Sequence, residues 1–272
     1  MAETPEAVGA LFREGKLMPA IETANAAVRK NPGDLGSRIL LAELLLFTGN
    51  VERADVILDA AAQADPTALI AVAEFRQLLR AEIARRQHSR EGRVPEFLGE
   101  PTEALREALA AQVSLRAGDV EEAARHAAGA EEARPRAAGV AVQKDATTPF
   151  DDFRDVDDLH AGFFEVLTTT GKYYWIPTER VASIEFEAPR RPRDLVWRRA
   201  SMVVTDGPDG VVYLPALYDS GTADIGDELK LGRATSWIDE QTGPVRGIGQ
   251  RVFLIGDDAQ PIMELATLRF GP

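Results

Sequence analysis

At 272 residues the chain is long enough for two domains that each bury a core. It has no cysteine, which excludes disulfides, thiol nucleophiles and thiolate metal sites, and its net charge of −13 argues against nucleic acid as the main partner. The longest apolar run, residues 39–47, is interrupted by Glu43 and falls far short of the roughly 20 residues of a membrane helix. Residues 1–5 carry no secretory signal, so a cytoplasmic location without membrane association is expected.

The first half reads as helices. Thr4 and Pro5 serve as N-cap and first helical residue, Val8, Leu11 and Phe12 share one face, and Gly15 ends the helix. A second arm runs over residues 18–29. The next helices span 35–47, with Leu41, Leu44 and Leu45 inward, and 51–64, stopped at Asp65 and Pro66. Gly15 with Pro32, Gly49 with Pro66 and Gly118 with Pro135 are each 17 residues apart, and the first two pairs are offset by 34. Five positions after each glycine comes an alanine: Ala20, Ala54 and Ala123. Self-similarity at this period is the signature of tetratricopeptide-type hairpins, which stack to bury their apolar faces and leave a concave binding surface. A longer helix capped by Thr67 covers 67–88, a turn-rich break follows at 91–101, and an alanine-rich hairpin fills 102–134.

After Pro135 the texture changes. Residues 138–150 read as a linker. Residues 163–167 and 173–175 flank Gly171 and Lys172 as a hairpin, 181–186 alternates loosely, and 201–205 with 211–214 flank a Gly–Pro turn. Residues 251–255 and 262–270 read as a further hairpin about Gly256, and a short helix fits near 194–199. The fold class is therefore α+β: a TPR-like helical hairpin stack over 1–137, the linker, and a β-rich antiparallel domain over 151–272.

The densest polar cluster holds Asp151, Asp152, Asp155, Asp157 and Asp158. Hard cations want several oxygens, but the run lacks the spacing of a calcium loop, so capping and ion pairing at a domain junction is the simpler reading. His88, His126 and His160 have no metal-ligand spacing, and His88 and His126 read as solvated surface positions. Gly247 and Gly249 precede a strand, the wrong setting for a dinucleotide site. Nothing pairs a nucleophile with a base. Arg190, Arg191, Arg193, Arg198 and Arg199 form either an anion patch or, more simply, a salt-bridged or solvated run. Trp175, Trp197, Trp237, Tyr173, Tyr174 and Tyr218 suit either a small β core or interface anchors.

Taken in order, residues 41–47 with Gly49, 150–158, 174–177, 193–197, 213–218, Leu231 to Trp237 and 246–251 resemble the ImpE/SciE/TagJ family, accessory proteins encoded in bacterial type VI secretion clusters. The resemblance covers nearly the whole chain and is weakest in the first helices and over 102–145. It implies a non-enzymatic cytoplasmic protein of the contractile-sheath machinery, with no cofactor and no catalytic residues. The implied partner is the small sheath subunit TssB, held through a short helix, near the step where the ClpV ATPase disassembles the TssB–TssC sheath. A hairpin stack is a natural host for an amphipathic helix. The candidate contact positions are Leu41, Leu44, Leu45, Asp151, Asp152, Asp155, Asp157, Asp158, Trp175, Tyr218, Arg233 and Trp237, the aspartates and aromatics among them being contact or architectural positions. The rival is a carboxylate-based metal module or enzyme built on Asp151–Asp158, and a structural dimerisation unit is a third reading.

Overall fold

The computed structural model describes residues 5–64, 69–143, 146–219, 225–239 and 241–271. Thr4, Asp65, Pro66 and Thr67, expected as helix boundaries, lie outside them. Helices α1 (Pro5–Arg13) and α2 (Leu17–Lys30), α3 (Leu35–Leu46) and α4 (Val51–Ala64), and α6 (Glu103–Arg116) and α7 (Val120–Ala133) form hairpins, with α5 (Leu69–Glu91) between the second and third.

The repeat seen in the sequence has a physical cause. Gly15, Gly49 and Gly118 adopt φ of 81°, 73° and 83°, the left-handed region that side chains disfavour. The residue after each donates its N–H to a carbonyl five residues back: Lys16 to Leu11 (3.0 Å), Asn50 to Leu45 (3.1 Å) and Asp119 to Ser114 (2.9 Å). Each glycine N–H reaches three residues back, so all three turns are the same Schellman cap. Ala20, Ala54 and Ala123 are fully buried, as close helix contact requires.

The second half is antiparallel. Its strands are β1 (Gly139–Gln143), β2 (Ala146–Phe150), β3 (Phe153–Asp155), β4 (Phe163–Leu167), β5 (Tyr173–Pro177), β6 (Val181–Phe186), β7 (Trp197–Val204) and β8 (Asp209–Pro215). A single-turn helix α8 (Asp227–Lys230) precedes β9 (Thr235–Ile238), β10 (Arg246–Gly249), β11 (Val252–Ile255), β12 (Asp258–Pro261) and β13 (Thr267–Phe270). An eight-stranded sheet runs β2-β1-β13-β6-β7-β8-β4-β5, beside a three-stranded sheet β12-β11-β3 and a β9–β10 ribbon.

Three expectations are corrected. The supposed linker carries β1 and β2, a hairpin whose β1 pairs Gly139 with Phe270 of β13; a Cβ on Gly139 would lie 2.1 Å from the Arg269 carbonyl oxygen. The strand after Gly256 pairs β11 with β12, and the chain then turns at Ile262–Glu264 and carries β13 into the large sheet. The helix expected near 194–199 is a 3-10 turn, Pro192–Leu195, after which β7 begins.

Helix α5 joins the halves. Its Phe75, Leu78 and Leu79 belong to one apolar cluster with Phe163, Leu167, Trp175 and Trp197 of the sheet. The break at 91–101 closes the sheet edge, since Glu96 donates to the Tyr173 carbonyl (2.9 Å) and accepts from the Trp175 N–H (3.1 Å).

Candidate functional site

The junction of α5 with the sheet contains a buried ionic network. On α5, Leu78, Glu82 and Arg85 follow helical spacing, so the two charges lie on the face that carries the apolar stripe. Arg85 Nε donates to Glu165 Oε1 of β4 at 3.0 Å and its Nη2 to the Leu217 carbonyl at 3.0 Å. Glu165 also accepts from the Tyr173 hydroxyl at 2.5 Å and from Arg251 Nη2. Arg251 in turn lies 3.2 Å from Asp155, whose other oxygen accepts from the Tyr218 hydroxyl at 2.6 Å. Burial disfavours the Glu165 charge, but Arg85 and Arg251 outweigh it and hold its pKa well below the usual carboxylate range.

The aspartate run is a set of staples. Asp152 takes both Arg134 guanidinium nitrogens at 2.8 and 2.7 Å and thereby ties the end of α7. Asp157 accepts from Leu159 N (2.9 Å), His160 Nδ1 (2.9 Å) and Gly247 N of β10 (2.8 Å). Asp158 accepts from Val245 N at 2.8 Å and from Arg154 at 2.7 Å. Burial pushes His160 toward neutrality, yet Asp157 and then Glu165 raise its pKa above the ordinary value. Burial raises Asp155, whereas His160 draws its neighbour Asp157 down. Among the described residues no three His, Asp or Glu side chains are arranged to hold a metal ion.

Two cavities flank this network. One of about 360 Å³ lies between the α3–α4 turn and α8, with Leu46, Phe47, Leu217 and Leu229 as apolar wall and Arg86 and Lys230 as cationic lining. The other, about 250 Å³, lies under the β9–β10 ribbon and is lined by Leu115, Arg116, His160, Ile238 and Ile248. Arg85, Arg90, Tyr218 and Asp219 border both. Arg116 donates to the His88 carbonyl (3.1 Å), and burial lowers its pKa.

Of the expected contact residues, Tyr218 borders both cavities and Asp157 the second. Leu41, Leu44, Leu45 and Trp175 are at most 2% exposed and belong to the shared apolar cluster, lining neither cavity. Helix α3 is apolar on nearly every face, so its stripe did not reveal that Leu46 and Phe47 reach the cleft. Asp155 is equally buried, and Asp152 and Asp158 are bound to arginines and backbone; Asp151 is exposed but away from the cavities. Arg233 donates to the Phe12 and Arg13 carbonyls (2.7 and 2.9 Å), capping the end of α1. Trp237 is 38% exposed and packs its ring edgewise on Tyr218, 5.9 Å between centroids.

His88, expected to be solvated, is instead buried, and His126 is only partly exposed. His88 is 3% exposed, with its ring nitrogens 2.7 Å from the Arg93 carbonyl and 2.7 Å from Gln112 Oε1, because α6 and β5 cover that side of α5. His126 is half-buried and lies 2.7 Å from Glu107. The sequence reading missed Arg85, Arg90, Arg116 and His160. Charges at Glu82 and Arg85, in step with Leu78, were the available signal.

Residues 147–269 match the ImpE protein family and residues 11–79 the tetratricopeptide repeat family. The chain is 31% identical over 265 residues to the type VI secretion system accessory component TagJ of Pseudomonas aeruginosa PAO1, covering 96% of this chain and 90% of that protein. Its fold superposes on the crystal structure of protein VPA1032 from Vibrio parahaemolyticus with a TM-score of 0.88, 28% identity and 98% of each chain covered. With TPR-like helices ahead of an ImpE sheet domain, and with kinship spanning both halves, this chain belongs to the ImpE/TagJ family of type VI secretion accessory components.

Proposed function

We infer that the protein is a cytoplasmic, non-enzymatic adaptor that holds a short helix of the sheath subunit TssB, close to ClpV-driven sheath disassembly. The observation that carries this reading is the cleft beside α5. Its apolar wall (Leu46, Phe47, Leu217, Leu229) and charged lining, in which Arg85, Arg86, Arg90 and Lys230 outnumber Glu82 and Asp219, suit one face of an amphipathic helix that carries some acidic side chains. The engagement of Asp152, Asp157 and Asp158 by arginines and backbone N–H groups supports a structural role for the acidic run over the metal-module reading. Among the described residues no helix is long and apolar enough to cross a membrane.

The test is calorimetric titration of the full chain with a peptide covering the N-terminal helix of TssB. Saturable binding is expected, weakened about tenfold or more when Lys230→Glu reverses a cleft charge, a loss of roughly 1.4 kcal/mol. Absence of binding to the unaltered chain, with whole TssB also failing, rejects the reading.

A further inference from the structure

We propose that a third cavity, formed where the 3-10 turn Pro192–Leu195 meets α5 and the β7–β8 hairpin, binds a compact oxyanion of the phosphate class. This site is separate from the cleft above and does not depend on the docking reading. Its volume is about 300 Å³, and four arginines line it: Arg190, Arg191, Arg193 and Arg199. In a chain of net charge −13 that is a local reversal of sign.

The turn is built to present these groups. Asp194 Oδ2 accepts the backbone N–H groups of both Arg190 (2.8 Å) and Arg191 (3.1 Å), fixing where their side chains depart. Arg193 is held from below, its guanidinium 4.8 Å from the centre of the Phe75 ring, and its side chain is only 11% exposed. The carboxylates on the wall already have donors. Glu74 Oε1 accepts from the Tyr213 hydroxyl at 2.7 Å and lies 3.7 Å from Arg193, Glu187 pairs with Arg199, and Asp194 holds the turn.

Apart from Arg199, the cationic side is not satisfied in the same way. Arg193 Nε is buried without a hydrogen-bond partner among the described residues. The carboxylate beside Arg191 is Glu43, at 3.9 Å and beyond hydrogen-bond reach, and Arg191 is 49% exposed. Glu43 Oε1 is itself buried without a hydrogen bond among the described residues, and burial raises its pKa to about 7, so near neutrality its charge offers Arg191 and Arg193 an incomplete counter-ion. Arg190 is exposed, with no ion pair to its guanidinium among the described residues.

The ligand class follows from the walls. Guanidinium forks suit anions with several acceptor oxygens. The wall outside the charged groups consists, among the described residues, of Ala71, Ala188 and Tyr213, which is 3% exposed and whose hydroxyl is tied to Glu74; this offers little surface to a base or an acyl chain and favours free di- or triphosphate over a ligand with a large apolar body.

The test uses the full chain at low ionic strength and titrates pyrophosphate calorimetrically, with ATP and sulfate as parallel arms. Saturable pyrophosphate binding is expected, weakened at least about tenfold in the Arg190→Ser, Arg191→Ser double variant and unchanged in Arg136→Ser, an exposed arginine elsewhere. ATP binding no tighter than pyrophosphate identifies free polyphosphate as the source; ATP binding at least tenfold tighter assigns the phosphates to a nucleotide tail and keeps the site. If the serine variant is misfolded by circular dichroism, the Arg→Lys pair, which keeps charge and loses the forks, must show the weakening. Equal affinity in the arginine-cluster variants and the unaltered chain, or no saturable binding to the unaltered chain, overturns the proposal.

Discussion

At the residue scale, the junction is dominated by charges taken out of water. Glu165 is 3% exposed and stands between Arg85 and Arg251, so Glu165→Gln leaves two buried cations facing a neutral amide. Loss of one partner from such a group costs about 3–5 kcal/mol, and urea unfolding should show a fall of that order. Glu43 works the other way. Its folded pKa, about 7, lies above the ordinary carboxylate value of 4.5, so the folded state holds its proton more tightly than the unfolded chain does. Stability therefore declines as pH rises between those values. Glu43→Gln should stabilise the protein at pH 8 by up to about 3 kcal/mol, a gain that shrinks toward zero near pH 4.5; a gain independent of pH contradicts this. His160 adds stability below its unfolded pKa of about 6.5 that is lost as pH passes its raised folded value. Depressed Glu165 adds stability present at neutral pH and lost under strong acid.

At the element scale, the helical turns separate backbone strain from packing. Among the described residues nothing lies within 4 Å of a Cβ added at Gly118, so Gly118→Ala should cost only the left-handed conformation, about 1–2 kcal/mol. At Gly49 the added Cβ would meet Arg86 Nη1 at 2.8 Å, where that nitrogen donates to the Gly49 carbonyl at 2.6 Å. Gly49→Ala should therefore cost more than Gly118→Ala in the same urea experiment; equal costs contradict the assignment. These turns were legible in the sequence because a positive φ leaves its mark on residue type, and Ala20, Ala54 and Ala123 because close contact permits little else. The β1–β2 hairpin was not legible. Its small residues alternate weakly, and β1 is held by β13, more than a hundred positions away. The same distance hid the fate of the aspartates: Asp155 and Asp157 are bound through Arg251 and Gly247, whose proximity no local pattern announces. Likewise α3, apolar on nearly every face, gave no sign of which of its residues reach the cleft.

At the scale of the whole molecule, the halves that composition separates share one apolar cluster through α5 and the buried ion network. Differential scanning calorimetry should accordingly give one transition with equal calorimetric and van't Hoff enthalpies; two resolved transitions contradict a shared core. The cleft exists only because both halves contribute, Phe47 and Arg86 from the helices, Leu217 and Leu229 from the sheet side. The docking site proposed above is that junction and not the outer surface of the hairpin stack. Hydrogen–deuterium exchange of the full chain with and without the TssB helix peptide tests this most directly. Slowed exchange is expected over residues 82–93 and 215–219, with α1 and α2 unchanged; slowing confined to the first hairpin, with the junction unaffected, contradicts it.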